Sequence, residues 1–279
     1  MKIIFLDVDG TLVNYQNQVP ESAVKAIQLA RKNGHKVYLN TGRSKAELPD
    51  FLLDIGVDGM ILGNGSYVEE SGEVLFEQVM SEEDSRKIVD YLHGRNLPFY
   101  LESNNGLFAS EDFVEKAKPV MQKYMLGKGK TLEEVRDLDI TQALHGLVLN
   151  GELYRKDLNK VSFILNDYQD YLEAKETFAH LKVGTWGGKG ETALFGDIGV
   201  AKIDKKKAVK ILLAHLNASE KDTFAFGDAK IDIPMLEIAQ IGVAMGNGGK
   251  EIKQMADYIT DDVDKDGLYK AFLHFNLLK

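Results

Sequence analysis

Asp7 and Asp9 stand two residues apart in Asp7-Val8-Asp9-Gly10-Thr11, directly after the apolar run Ile3-Ile4-Phe5-Leu6. In extended backbone that spacing turns both carboxylates toward one side. Gly10 lets the chain turn sharply behind them. Two ionised carboxylates this close repel, so one must hold a proton or a cation must offset their charge. The first arrangement suits general acid catalysis, the second a divalent metal. Two solvated aspartates capping a turn would also produce the pair, but the full five-residue motif after an apolar strand favours chemistry.

Two further segments repeat the pattern of strand, short polar loop, helix, and a third places a lysine at a helix start. Asn40-Thr41-Gly42-Arg43 offers a hydroxyl and bare backbone amides ahead of a helix, a grouping that suits a phosphate oxygen or an ordinary loop. Lys205, within Ile203-Asp204-Lys205-Lys206-Lys207-Ala208, supplies an ammonium suited to a phosphate or an aspartate nucleophile. Lysine runs at helix starts are usually solvated, and only register with the other motifs singles out Lys205, with Lys202 as the fallback. In Phe226-Gly227-Asp228-Ala229-Lys230-Ile231-Asp232, the aspartates Asp228 and Asp232 could join Asp7 around Mg2+, which takes oxygen ligands octahedrally. The same two aspartates also suit a helix N-terminus. Arg43, Asn64 and Asn247 lie on strand-end loops and are candidate substrate contacts.

The elements that must position these residues follow from hydrophobic periodicity. Strands are expected at 2–6, 36–39 and 60–62, helices at 21–33 and 45–55, and a hairpin at 67–76. Toward the C-terminus, helices at 205–216, 233–238, 250–256 and 267–277 alternate with strands at 223–226 and 241–245. Such alternation predicts an α/β fold, a Rossmann-like parallel sheet with helices on both faces. Residues 81–188 instead mix helices (82–93, 111–125, 168–181) with isolated strands (99–102, 146–149, 161–165), and 127–130 and 186–190 are the loosest stretches. They read as an inserted α/β domain, with 1–80 and 189–279 forming the core. Trp186 reads as a packing residue of that insert.

Two segments imitate nucleotide-binding motifs and fail them. Gly127-Lys128-Gly129-Lys130-Thr131 would need a glycine where Tyr124 stands, and Gly246-Asn247-Gly248-Gly249 would need one at Glu251. With no cysteine among 279 residues, disulfides and thiolate chemistry are excluded, in keeping with a cytoplasmic setting. The six histidines are scattered, which disfavours zinc. Apolar residues make up 44%, yet no stretch approaches the about 20 apolar residues of a membrane span. A formal charge of −9 repels polyanions, so nucleic acid is not the expected partner, while a small anionic substrate remains open. Oligomeric state leaves no trace in the sequence.

The four motifs, in this order, resemble the haloacid dehalogenase-like superfamily. The insert between the second and third resembles its Cof-type phosphatases, which carry a large α/β cap. The tail Gly242-Val243-Ala244-Met245-Gly246-Asn247, then Ala256-Asp257-Tyr258-Ile259-Thr260, is similar to that subfamily as well. The resemblance implies an enzyme that removes phosphate from a small metabolite (a sugar phosphate, nucleotide or phosphorylated cofactor) with Mg2+. It implies Asp7 as nucleophile and metal ligand, and Asp9 as general acid and base whose carbonyl also meets the metal. Thr41, the Gly42 amide and Lys205 would bind phosphate, Asp228 would ligate Mg2+, and Asp232 would complete the shell or hold a metal-bound water. The 81–188 domain would be the cap that contacts the leaving group. Phosphoryl transfer, as in phosphomutases, or phosphate-ligand binding without turnover are the competing uses of the same residues. The second is motivated by Ile231, which stands where the subfamily's Gly-Asp-Gly-x-Asn-Asp has asparagine; Ala229 replaces its second glycine.

Overall fold

A computed structural model describes residues 1–188 and 190–279; residue 189, at which the sequence places the return to the core, lies outside the described residues. The chain forms two compact units, one of Met1–Gly42, Asp50–Glu77 and Ile203–Lys279, the other of Arg43–Pro49 and Gln78–Lys202. The first begins with β1 (Ile3–Leu6), β2 (Lys36–Asn40), β3 (Gly59–Leu62), β4 (Tyr67–Glu70) and β5 (Glu73–Glu77). The second holds β6 (Phe99–Ser103), β7 (Gly106–Ala109), β8 (Leu147–Val148), β9 (Leu158–Ile164), β10 (Lys182–Trp186) and β11 (Phe195–Gly199). The chain then returns to the first unit with β12 (Thr223–Gly227), β13 (Ile241–Ala244) and β14 (Tyr258–Ile259).

In the first unit the eight strands run in the order β14-β13-β12-β1-β2-β3-β4-β5. All pairs from β14 to β3 are parallel, and the β4–β5 hairpin closes one edge antiparallel. Every residue of β1 is fully buried, as a central strand covered on both faces requires. On one face Ile3, Phe5, Tyr38 and Ile61 pack with Ala208, Val209 and Leu212 of the helix Lys205–His215. The helix Glu21–Lys32 buries Ala23, Ala26, Ile27 and Ala30, its apolar stripe at helical spacing. Phe226 of β12 meets Phe272 of the helix Gly267–His274 at 5.2 Å between ring centres.

The register sets the site. Leu6 pairs with both Leu39 and Phe226, so Asp7, Asn40 and Gly227 follow at one carboxyl edge. The chain runs outward from β1 through β2 on one side and reaches β12 on the other, so β1 and β12 flank a topological switch point, where open α/β sheets bind ligands.

The second unit is a mostly antiparallel sheet ordered β10-β11-β9-β6-β7-β8. Three of its strands, β7, β10 and β11, are absent from the sequence expectation. Residues 195–199 pair with β9 and β10, so they belong to this unit although the sequence assigns 189 onward to the core. Residues 43–49 also belong here, and the helix expected at 45–55 is broken. Pro49 forbids continuation from Leu48, which sits extended at φ −90°, ψ 110°, leaving a short turn at Lys45–Glu47 and a separate helix at Asp50–Leu53. Trp186 packs as expected, stacked on Phe195 at 3.9 Å and edge-on to Tyr124.

Candidate active site

Asp7 leaves β1 with its amide donating to the Phe226 carbonyl at 3.0 Å, which continues the ladder one residue past the strand. The loop behind it is tied by amides of Leu12 and Val13 donating to the Val8 carbonyl at 3.0 and 2.8 Å. Gly10 sits at φ +84°, and a Cβ there would lie 2.3 Å from Oδ2 of Asp228. Only glycine allows that turn and that approach together.

Lys205 is the centre of the arrangement. Asp204 caps its helix, accepting from the Lys207 amide at 2.8 Å, which fixes Lys205 at the first helical position. Its fully buried ammonium donates to Oδ1 of Asp7 at 2.7 Å, Oδ1 of Asp232 at 2.6 Å and the Asn40 carbonyl at 2.5 Å. An ammonium has three N–H donors, and these three acceptors use them all. Burial alone would lower its pKa, but the attraction of Asp232 and then Asp7 outweighs burial and raises it. Lys205 is therefore a fixed positive charge. Of the two partners the sequence offers it, a phosphate or an aspartate, the aspartate is the one it meets here, with its donors on Asp7, Asp232 and the Asn40 carbonyl.

Asp232 is fully buried, with Oδ1 on Lys205 and Oδ2 accepting from the amides of Asp228 and Ala229 at 3.2 and 3.0 Å. These bonds let it brace Lys205 and the Asp228 turn. Asp228 itself is buried, with the Thr11 hydroxyl 3.5 Å from Oδ1 and the Tyr15 hydroxyl 3.3 Å from Oδ2. Burial, reinforced by Asp228, pushes the Tyr15 phenol above its usual pKa and keeps it protonated.

Asp7, Asp228 and Asp232 bring one carboxylate oxygen each to within 4.8 Å of one another. Octahedral Mg2+, with oxygens about 2.1 Å away, separates cis ligands by about 2.9 Å and trans ligands by about 4.2 Å. The 4.8 Å limit on the cluster is of that order, and its donors are hard oxygens, so the residues fit that ion. A carboxylate oxygen that accepts one hydrogen bond keeps a lone pair, so Asp7, Asp228 and Asp232 could each reach it. Without a cation, burial and then repulsion from Asp232 raise the Asp7 pKa well above the ordinary carboxylate value, with Lys205 opposing. A cation in this place would return Asp7 to its ionised form.

Asp9 is exposed, unlike Asp7, so the two carboxylates do not share one environment. Thr41 is buried beside the cluster, its amide donating to the Ile61 carbonyl and its carbonyl accepting from the Asn64 amide at 3.1 Å. Gly42 follows, so close to Asn64 that a Cβ would meet the Asn64 amide oxygen at 3.0 Å. That oxygen is buried and, among the described residues, accepts no hydrogen bond.

The other candidates are placed differently from expectation. Arg43 falls in the second unit, donating to the Glu47 carbonyl at 3.2 Å. Asn247 is a clip: its amide nitrogen donates to the Gly10 carbonyl at 2.8 Å and its oxygen accepts from the Val263 amide at 2.9 Å. Ile231 is 45% exposed, so an apolar side chain there leaves no buried polar partner stranded in the acidic cluster. The sequence missed Tyr15 and Asn40. Tyr15 sits in a polar loop with no periodic signal, and Asn40 contributes through its carbonyl, which no residue type reveals.

Comparison with known proteins places this geometry. The profile of a family described as haloacid dehalogenase-like hydrolase matches residues 4–272. YwtE of Bacillus subtilis, a 5-amino-6-(5-phospho-D-ribitylamino)uracil phosphatase, is 26% identical over 280 residues, covering 96% of this chain and 96% of that one. YwpJ of Bacillus subtilis, named a phosphatase, is 24% identical over 287 residues, covering 98% and 99%. Among solved structures, the subclass IIB sugar phosphatase BT4131 superposes with a TM-score of 0.77 at 25% identity, covering 99% of this chain and 100% of that one.

Proposed function

The chain belongs to the haloacid dehalogenase-like hydrolases and is a phosphatase of that family, and we propose that it hydrolyses small phosphorylated metabolites with Mg2+ through a phosphoryl group carried on Asp7. One observation carries the reading: Asp7, Asp228 and Asp232 converge at the carboxyl edge of parallel strands beside the buried Lys205. The names of YwtE, a phosphatase of a phosphorylated ribitylaminouracil, and of BT4131, a sugar phosphatase, support a hydroxyl-bearing phosphate ester as substrate class.

A phosphate ester resists a carboxylate because both are anionic. Held by Asp7, Asp228 and the Asp9 carbonyl, Mg2+ would draw charge from the phosphoryl oxygens and ease that approach. Lys205 fixes Oδ1 of Asp7, so attack falls to Oδ2. As the Asp7–phosphorus bond forms, the ester P–O bond breaks and Asp9, exposed at the mouth of the loop, gives its proton to the departing oxygen. Asp9 then takes a proton from the water that displaces phosphate from Asp7. Asp7 is regenerated as a carboxylate. The Thr41 hydroxyl and Gly42 amide bind the phosphoryl oxygens from the neighbouring strand end.

The test is a magnesium-supplemented screen across phosphate esters, each assayed again with chelator. Phosphate release that depends on the metal is expected. Metal-independent release, or tight ester binding without turnover, contradicts the reading.

A further inference from the structure

Asp228 closes the acidic cluster, yet its carboxylate hangs from a loop, where two side-chain torsions would leave it free to swing. What fixes it comes from the opposite loop. Gly10 packs against the carboxylate at a distance no Cβ would tolerate, which bars one direction of swing. Thr11 lies 3.5 Å from Oδ1, at the long limit of a hydrogen bond. Tyr15 lies 3.3 Å from Oδ2 and is the better placed of the two hydroxyls. An ionised carboxylate only accepts hydrogen bonds, so the phenol is the donor. Tyr15 is itself held, half-buried and bonded by the Asn247 side chain, which also grips the Gly10 carbonyl.

We propose that Tyr15 is a positioning residue for the cation site: its hydroxyl holds Asp228 in the orientation that receives a divalent metal. The proposal rests on the metal-dependent reading of the site given above. It assigns a duty to Tyr15, in the loop that follows the Asp7 motif. A partner of this kind fixes ligand orientation before the ion arrives, and losing one typically costs about 10–100-fold in metal affinity.

The test is Tyr15→Phe, which keeps the ring and removes the hydroxyl. Mg2+ binding is measured by calorimetry on substrate-free protein, alongside the thermal midpoint without metal. The expected result is a Mg2+ dissociation constant raised by about tenfold or more, with the metal-free midpoint unchanged. The magnesium activation curve for phosphate release should move to higher concentration in step. An unchanged dissociation constant overturns the proposal, and so does a weakening matched by a fall in the metal-free midpoint, which would mark Tyr15 as structural. If the wild type binds no Mg2+, the metal-dependent reading falls and the role of Tyr15 falls with it.

Discussion

Two lysines, the buried Lys205 in the first unit and the partly buried Lys160 in the second, are each surrounded by carboxylates, and each cluster holds more negative than positive charge. Lys160 lies 3.0 Å from Glu102, which is pinned by the Ser162 hydroxyl at 2.6 Å, with Glu47 and Asp197 close enough to raise its pKa. There a proton can take up part of the excess. Burial first, and then Glu102, push the Glu47 carboxyl up to about 7. Around Lys205 the excess falls on Asp7, whose oxygen lies 4.8 Å or less from those of Asp228 and Asp232. A cation can absorb that charge, and then Asp7 stays ionised as a nucleophile must. Lys160 keeps 20% of its side chain exposed, whereas Lys205 keeps none. Buried charge alone therefore does not mark an active site. A cluster at the carboxyl edge of parallel strands, where a cation can replace the proton that burial favours on Asp7, supports one.

The comparison breaks most visibly at Asp7. Asp7→Asn keeps the shape and removes the proposed nucleophile, so turnover in a phosphate-release assay should fall by about 10⁴-fold or more. Activity near the wild-type level would strip Asp7 of its role.

Lysine removal sharpens the contrast. Lys205→Met strands Asp7 and Asp232 in a site without solvent, and should cost about 3–5 kcal/mol in denaturant unfolding as well as activity. Lys160→Met should cost less, because its neighbour Glu47 can take up a proton and the side chain is partly solvated. Equal losses would mean that the two clusters do the same work.

Metal removal should touch only the first cluster. At Mg2+ a hundredfold above its dissociation constant, chelation should lower stability by about 2.7 kcal/mol and abolish phosphate release. The thermal midpoint of Asp228→Asn should hardly respond to the same treatment.

The second cluster has its own pH signature. A carboxyl raised in the folded state stabilises it fully below the unfolded value of 4.5, and that stability is lost as pH rises through about 7. Wild-type thermal stability should therefore fall across this window relative to Glu47→Gln, which cannot ionise. Parallel curves for the two proteins would remove the proton from Glu47.

The smallest effect is expected at Ile231. Being exposed, Ile231→Asn should leave activity unchanged or slightly raised in a steady-state assay. A large loss would show that the isoleucine is itself adapted to the substrate.

How far the sequence exposes all this depends on what each residue contributes. β1 and β12 are legible because strands buried on both faces leave short apolar runs, and the aspartates then follow at fixed register. β11 is not, since Phe195-Gly196-Asp197-Ile198-Gly199 has two glycines and an aspartate that a neighbouring lysine, not hydropathy, makes tolerable. The break at Pro49 is visible in residue type, but the apolar spacing around it outweighs it in a periodic reading. Lys205 is identifiable by its order among the motifs, whereas the way its three donors are spent is purely three-dimensional. Asn247 shows what residue type leaves out: a polar residue on a strand-end loop reads as a substrate contact, while the backbone groups that both ends of its amide hold are visible only in three dimensions.

The central claim is that Asp7 carries the phosphoryl group. Rapid acid quenching during turnover of a good ester substrate with Mg2+, followed by mass mapping, tests it most directly. The account predicts one phosphoryl group on the peptide containing Asp7, released by hydroxylamine and absent from Asp7→Asn. Full turnover with no phosphorylated peptide, or with the group on another residue, would contradict it.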